Sequence, residues 1–328
     1  MARLLHVKPR LVVPSNKEFT ETHPNFSVAL DGYVSDVPMY IPKVNGRGPF
    51  ANFDHHVGVN RSATRSTCYQ AYVAITQGFY DSFKKDGEYE VNLHVNSCDQ
   101  DVCLAVWEFM NPERLHRSLR SRCIDELVMA EDLLDSSGGS YPIDERYYNE
   151  PRFLHKLAWI FELYTKPKFE GSVETMDAEE MQRVITGVGE RITCYVNGQG
   201  EEIELDARYE VLDRRKGYVV IREQGPFARR VLFTSEPEDA YVSVRDNPDG
   251  SRKVIIGKMS QYIILPLDTS AAMLNEAEGL RPGSENCWNG GDTVIGSPLL
   301  TGTKLSVAEV CGILDEAIAR KRSSLLSH

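Results

Sequence analysis

Asp54, His55 and His56 stand side by side in the run Ala-Asn-Phe-Asp-His-His at 51–56, which continues as Val-Gly-Val-Asn to position 60. Carboxylates and imidazoles are good ligands for divalent metals. Three such residues in succession cannot all face one way on a strand. At a strand end, where the backbone turns, Asp54 and one His can converge while the other His points at a substrate. An exposed polar turn with an accidental His pair explains the triplet as simply, so the metal reading needs partners elsewhere. Candidates exist. His94, Asn96, Asp99 and Asp101 lie where a strand runs into a helix. Two carboxylates two residues apart in such a turn can bind different cations or bracket one. A helix cap accounts for one Asp and leaves His94 and the other unexplained. Asp31 and Asp36 follow another short apolar run, although Asp before Gly is also ordinary turn chemistry. Glu131, Asp132 and Asp135 crowd a helix C-terminus against the macrodipole preference; the plain account there is a Gly-Gly helix stop at 138–139.

Several elements must position these groups. Residues 11–13, 27–31 and 89–95 read as strands, the last by its alternation. Apolar positions 68, 71, 72 and 75 recur at helical spacing, with Ser66 or Thr67 as the cap. A helix starting there presents free N–H groups that suit an anion, and Arg61 and Arg65 could add bidentate phosphate contacts. For both arginines a solvated loop is the ordinary alternative. Helices are also expected over 102–109, 123–135 and 151–164, the last opened by Pro151. Residues 166–173 read as a linker, and 177–194 as a helix connecting two domains. Strands are expected at 218–221, 240–244 and 253–256, with a hairpin turn at 247–250. A glycine loop surrounds Asn289, Gly290 and Gly291. Ser306 and Glu309 form a capping box that opens a final helix.

At 328 residues two domains are expected. The formal net charge of −11 argues against an extended duplex-DNA face, which needs clustered Lys and Arg. It leaves room for a carboxylate cluster offset by bound cations. The seven cysteines are scattered without a CxxC pair, which points to reduced thiols and a cytoplasmic protein. No run reaches 18 apolar residues, so no membrane partner is expected.

With these residues in view, FDHHVGVN followed by ATRSTCYQAY resembles the third motif of the DHH phosphoesterase superfamily. HVNSCDQDVCLA is similar to its first motif, and LLDSSGGSY to its fourth. The 289–291 glycines look like the substrate-gripping loop of the associated C-terminal domain, and 241–266 is loosely similar to the Myg-type exonuclease branch. The usual motif order is permuted here, and His94 to Asp99 is one residue longer than usual. The resemblance implies an α/β fold: a DHH-like parallel-sheet domain (1–170), a connector helix (171–200) and a smaller α+β domain (201–328). It implies Asp31, His55, His94, Asp99, Asp101 and Asp135 as ligands of two divalent ions, Mn2+ or Mg2+. Asp54 would orient an imidazole, Asp54 and His56 would form the catalytic pair, and Arg61, Arg65, Asn289, Gly290 and Gly291 would hold substrate.

Paired cations acidify water and clamp phosphoryl oxygens. The chemistry expected is therefore hydrolysis of a phosphodiester or phosphoanhydride in a small nucleotide or short oligonucleotide. The rival is a catalytically inactive DHH-like protein that binds a nucleotide or a partner. A single-zinc hydrolase fits less well, because adjacent histidines rarely reach one ion and no HExxH helix is present. A second copy of the chain is a further expected partner.

Overall fold

A computed structural model describes residues 2–42, 46–60, 63–115, 122–284 and 286–326. The chain is mixed α/β and divides into two compact units. The first comprises Met1–Asp135 with Asp144–Glu204, and the second Ser136–Ile143 with Leu205–His328.

The first unit is built on strands β1 (Ala2–Val7), β2 (Ser27–Leu30), β3 (Met39–Ile41), β4 (Phe50–Phe53), β5 (Lys84–Lys85) and β6 (Glu88–Val95). The sheet order is β1-β6-β2-β4-β3, with β5 pairing off β6. β1, β6, β2 and β4 are mutually parallel where they pair, so their carboxyl ends lie at one edge. β3 and β5 run antiparallel to their neighbours. β2 is buried at every position, as a central parallel strand must be. The Leu30↔Phe53 pairing places the residues after β2 and β4 side by side. Asp31 and Asp54 therefore leave the sheet together.

Helices α1 (Asn16–Thr22), α2 (Thr67–Thr76), α3 (Gln100–Met110), α4 (Arg122–Asp135), α5 (Phe153–Glu170) and α6 (Ala178–Val196) belong to the same unit. α2, α3 and α4 pack on one another, and α6 packs on α3, α5 and β1. The helix expected to bridge two domains is thus part of the first unit. Asp177 and Glu180 close a capping box at its start.

Two expectations need correction. Residues 11–13 form only a single bridge, Val13 to Val34, whereas the mixed run Ala2–Val7 is the edge strand β1. The expected linker at 166–173 is largely helix: α5 runs through Pro167 to Glu170 and stops at Gly171, whose φ of 81° closes the end.

The second unit holds β7 (Tyr209–Arg215), β8 (Tyr218–Glu223), β9 (Ala240–Asp246), β10 (Arg252–Lys258), β11 (Asn289–Gly290) and β12 (Val294–Gly296), in the order β11-β12-β10-β9-β8-β7. Only β8 and β9 pair in parallel. Helices α7 (Leu232–Ser235), α8 (Leu267–Glu278) and α9 (Val307–Leu326) complete it. The apolar faces of β8, β9 and β10 meet Leu274 and Leu314 of α8 and α9 in its core. No helix among the described residues is long and apolar enough to cross a membrane.

Candidate metal centre

The centre forms at the carboxyl edge of the parallel strands, where ligands of open α/β sheets collect. β2 ends in Asp31, which adopts the left-handed conformation at φ 47°, and Gly32 follows at 73°. This turn swings the Asp31 carboxylate toward the residues after β4. There His55 is buried and its Nε2 faces three carboxylates: Asp135 Oδ2 at 3.1 Å, Asp31 Oδ1 at 3.4 Å and Asp101 Oδ2 at 3.9 Å. Among the described residues two groups of ligand atoms result, Asp31-His55-His56 and His55-Asp101-Asp135, the atoms of each lying within 4.8 Å of one another. Four segments remote in sequence thus meet around one imidazole nitrogen.

His56 is paired differently. Its Nδ1 lies 2.8 Å from Asp54 Oδ1 and 3.4 Å from Asp31 Oδ1. Asp54 is fully buried, and its oxygens also accept from the Gly32 and Val57 N–H groups. It orients the imidazole from behind while the His56 side chain remains 41% exposed.

The first turn of α2 occupies the middle of the site. Both oxygens of buried Asp101 accept backbone bonds there, from Thr67 N–H at 2.8 Å and Cys68 N–H at 2.6 Å. Ser66 N–H donates to Asp132 at 2.8 Å. The anion expected at this helix N-terminus is therefore supplied by the protein's own carboxylates, and an incoming phosphate finds these donors taken. Arg65 likewise donates to Asp132 at 2.7 Å and lies over the Tyr69 ring. Gln70 ties α2 to the strand end by donating to the Asp54 and Arg65 carbonyls.

Burial and like charges set the protonation of the cluster. Burial alone would raise the Asp31 carboxyl, but the His55 hydrogen bond and the His56 charge hold it down at about 2. Burial and the neighbouring Asp31 charge push Asp99 up to about 7. The same two causes raise Asp101, and burial followed by Asp101 and Asp31 raises Asp135 well above the carboxylate range. Crowded carboxylates that resist ionising together are what a bound cation relieves. The donor set of carboxylates with one or two imidazoles fits a hard divalent ion.

Not every expected residue joins. Asp99 lies near enough to feel Asp31 and Asp101, but it caps α3: Oδ1 accepts from Val102 N–H and Oδ2 from Ser97 Oγ. The expectation that His94 is a ligand is corrected. It sits on β6 opposite Ala29, inside the sheet, stacked on His6 at 4.7 Å and edge-on to His23 and Phe19. Its Nε2 bonds Ser27. Asp36 serves the N–H groups of Asn16 and Val37. Asn289, Gly290 and Gly291 lie in the second unit, in the β11–β12 hairpin. Gly290 is required there by packing, because a Cβ would run into the Val294 carbonyl and come within 2.6 Å of Ile295 Cα. Arg61 lies outside the described residues. The acidic helix end marks Asp132, but its partners Ser66 and Arg65 lie 66 and 67 residues away and leave no local pattern; no motif marks the bonds of Gln70 to the Asp54 and Arg65 carbonyls.

Comparison of the sequence with models of known protein families finds no match, and comparison with curated proteins finds none.

Proposed function

We propose that the chain is a divalent-metal-dependent phosphoesterase that hydrolyses a phosphodiester or phosphoanhydride in a small nucleotide or short oligonucleotide. One observation carries this reading: oxygens of Asp31, Asp101 and Asp135 converge on His55 Nε2 at 3.1 to 3.9 Å, beside the Asp54–His56 pair. The likeness of the Asp54-His55-His56 segment to the DHH phosphoesterases agrees with it. The metal is taken as Mn2+ or Mg2+, bound as a pair. Asp31, His55, Asp101 and Asp135 would hold the ions, His55 Nε2 with its one lone pair serving one of them.

Bound, such a pair supplies Lewis-acid charge at the phosphoryl oxygens and lowers the pKa of a nearby water. The protein's own groups do the rest. Asp54 fixes the His56 ring through Nδ1, so Nε2 is the nitrogen that passes a proton to the leaving oxygen. Burial of Asp31, His55 and Asp101 keeps the ligands in one geometry.

A screen of dinucleotides and an aryl phosphodiester with wild type, Asp101→Asn and His56→Gln tests this. Turnover should require Mn2+ and vanish in Asp101→Asn. His56→Gln should lose about 10²–10⁴-fold in rate while still taking up Mn2+. Mn2+-loaded protein that turns over no phosphodiester or phosphoanhydride contradicts it. A second reading, a catalytically inactive nucleotide-binding or interaction protein, is favoured by one observation: both oxygens of Asp99 and of Asp101 are engaged by structural hydrogen bonds. Tight nucleotide binding by metal-free protein, without turnover, would select it.

A further inference from the structure

Thr67 opens α2 and has no solvent-exposed surface. Its side chain and its backbone reach two different carboxylates. Oγ1 lies 3.1 Å from Asp31 Oδ1 and 3.4 Å from the Phe53 carbonyl. Its N–H donates to Asp101 Oδ2 at 2.8 Å. These are the same two oxygens that face His55 Nε2. A carboxylate oxygen has two acceptor sites, so the bond from Thr67 leaves one directed elsewhere.

The hydroxyl is not needed for helix capping. Ser66 already serves as N-cap, its Oγ accepting from Tyr69 N–H at 3.4 Å. The hydroxyl carries one proton, and the closer and charged acceptor is Asp31. Asp31 needs such a restraint. It sits in the left-handed region, and its N–H bonds the Phe53 carbonyl at 3.0 Å. Thr67 therefore closes a ring that ties the ends of β2 and β4 to the start of α2.

We propose that Thr67 is a positioning residue of the metal centre: its hydroxyl and amide hold Asp31 Oδ1 and Asp101 Oδ2 in convergence on His55, and divalent-cation affinity depends on that hydroxyl. This rests on the reading of the cluster as a cation site. It goes beyond that reading by assigning a determinant of affinity to a residue that ligates nothing.

The experiment is calorimetric titration of Mn2+ into metal-free full-length protein: wild type, Thr67→Val, Thr67→Ala and Thr67→Ser. Circular dichroism in EDTA checks that each is folded. Val keeps the shape and removes the hydroxyl, Ala removes it without crowding, and Ser keeps it. Thr67→Val and Thr67→Ala should bind Mn2+ about 10–100-fold more weakly, and Thr67→Ser should stay within about threefold of wild type. A purely structural role would shift the EDTA melting curves and leave Mn2+ affinity alike in all folded variants. That result overturns the proposal, as does a Thr67→Ser affinity as poor as that of Thr67→Ala. If Thr67→Val fails to fold, the Ala and Ser variants decide the matter. Wild type that takes up no Mn2+ overturns the cation-site reading, and this proposal with it; wild-type uptake that Thr67→Val and Thr67→Ala match overturns Thr67's part alone.

Discussion

Asp31, inside the cluster, is held down at about 2, whereas Asp99, half-buried at the cap of α3, is pushed up to about 7. Burial raises both; the imidazoles facing Asp31 outweigh it, while for Asp99 the Asp31 charge adds to it. Asp101→Asn should therefore weaken Mn2+ binding by about 100-fold or more, since it removes a ligand charge inside the cluster. Asp99→Asn should cost only a few-fold, because Asn caps a helix about as well as Asp; titration calorimetry on the two variants checks both. His94 gives a separate prediction. Burial and the charges of His23, His6 and Lys8 push it down to about 3. The unfolded chain binds a proton near pH 6.5 that the native protein refuses until far lower. His94's contribution to stability is then complete above about pH 6.5 and is lost as pH falls toward 3, at up to about 1.4 kcal/mol per pH unit. Urea melts from pH 4 to 7 should show a flatter acid limb in His94→Phe than in wild type. Asp31, His55, Asp101 and Asp135 could be singled out from sequence because each follows a strand or ends a helix beside a turn. His94 misled because strand alternation gives the period of a side chain but not which face the next helix covers.

The element that organises the centre is the first turn of α2. Its N–H groups at Ser66, Thr67 and Cys68 are consumed by Asp132 and Asp101, which makes the helix start a clamp for carboxylates. Sequence periodicity located this helix and left its cap between Ser66 and Thr67, of which Ser66 serves, but did not show that its donors are already taken. The acids answering them come from α3 and α4, more than thirty residues away. β1 escaped notice because Arg3 and His6 break the apolar pattern of an edge strand. The polar run expected as a linker at 166–173 instead continues α5 through Pro167 to Glu170. In the second unit the β11–β12 hairpin depends on the missing side chain of Gly290. Gly290→Ala should destabilise the protein by about 1–3 kcal/mol in urea melts and leave Mn2+ affinity unchanged. A variant of wild-type stability would return the glycines to a ligand-binding role.

At the scale of the whole molecule, the acidic balance of −11 and the buried cluster point the same way. Two divalent ions would offset four of those charges where they repel most. Chain length alone implies two domains, and the resemblance implies the α/β class with a parallel sheet, which the mixed α/β fold with its mostly parallel first sheet matches at that coarse level. Neither implies the exchange of Ser136–Ile143 into the second unit. That segment turns at Gly138 and Gly139 and is held by Thr293 Oγ1 on the Ser136 carbonyl at 2.9 Å, a contact between residues far apart in the chain. Cation binding to the native state alone should stabilise it by about 2.7 kcal/mol at a hundredfold excess over Kd. Thermal melts should therefore rise with Mn2+ and fall with EDTA, while equal ionic strength of NaCl should not reproduce the rise.

Mn2+ titration into metal-free wild-type protein and Asp101→Asn, read by calorimetry with elemental analysis of the loaded protein, bears most directly on the convergence around His55. Two ions per chain in wild type, with loss of at least one in Asp101→Asn, is the predicted result. A wild-type chain that binds no divalent ion, or binds it unchanged after the substitution, would contradict the assignment.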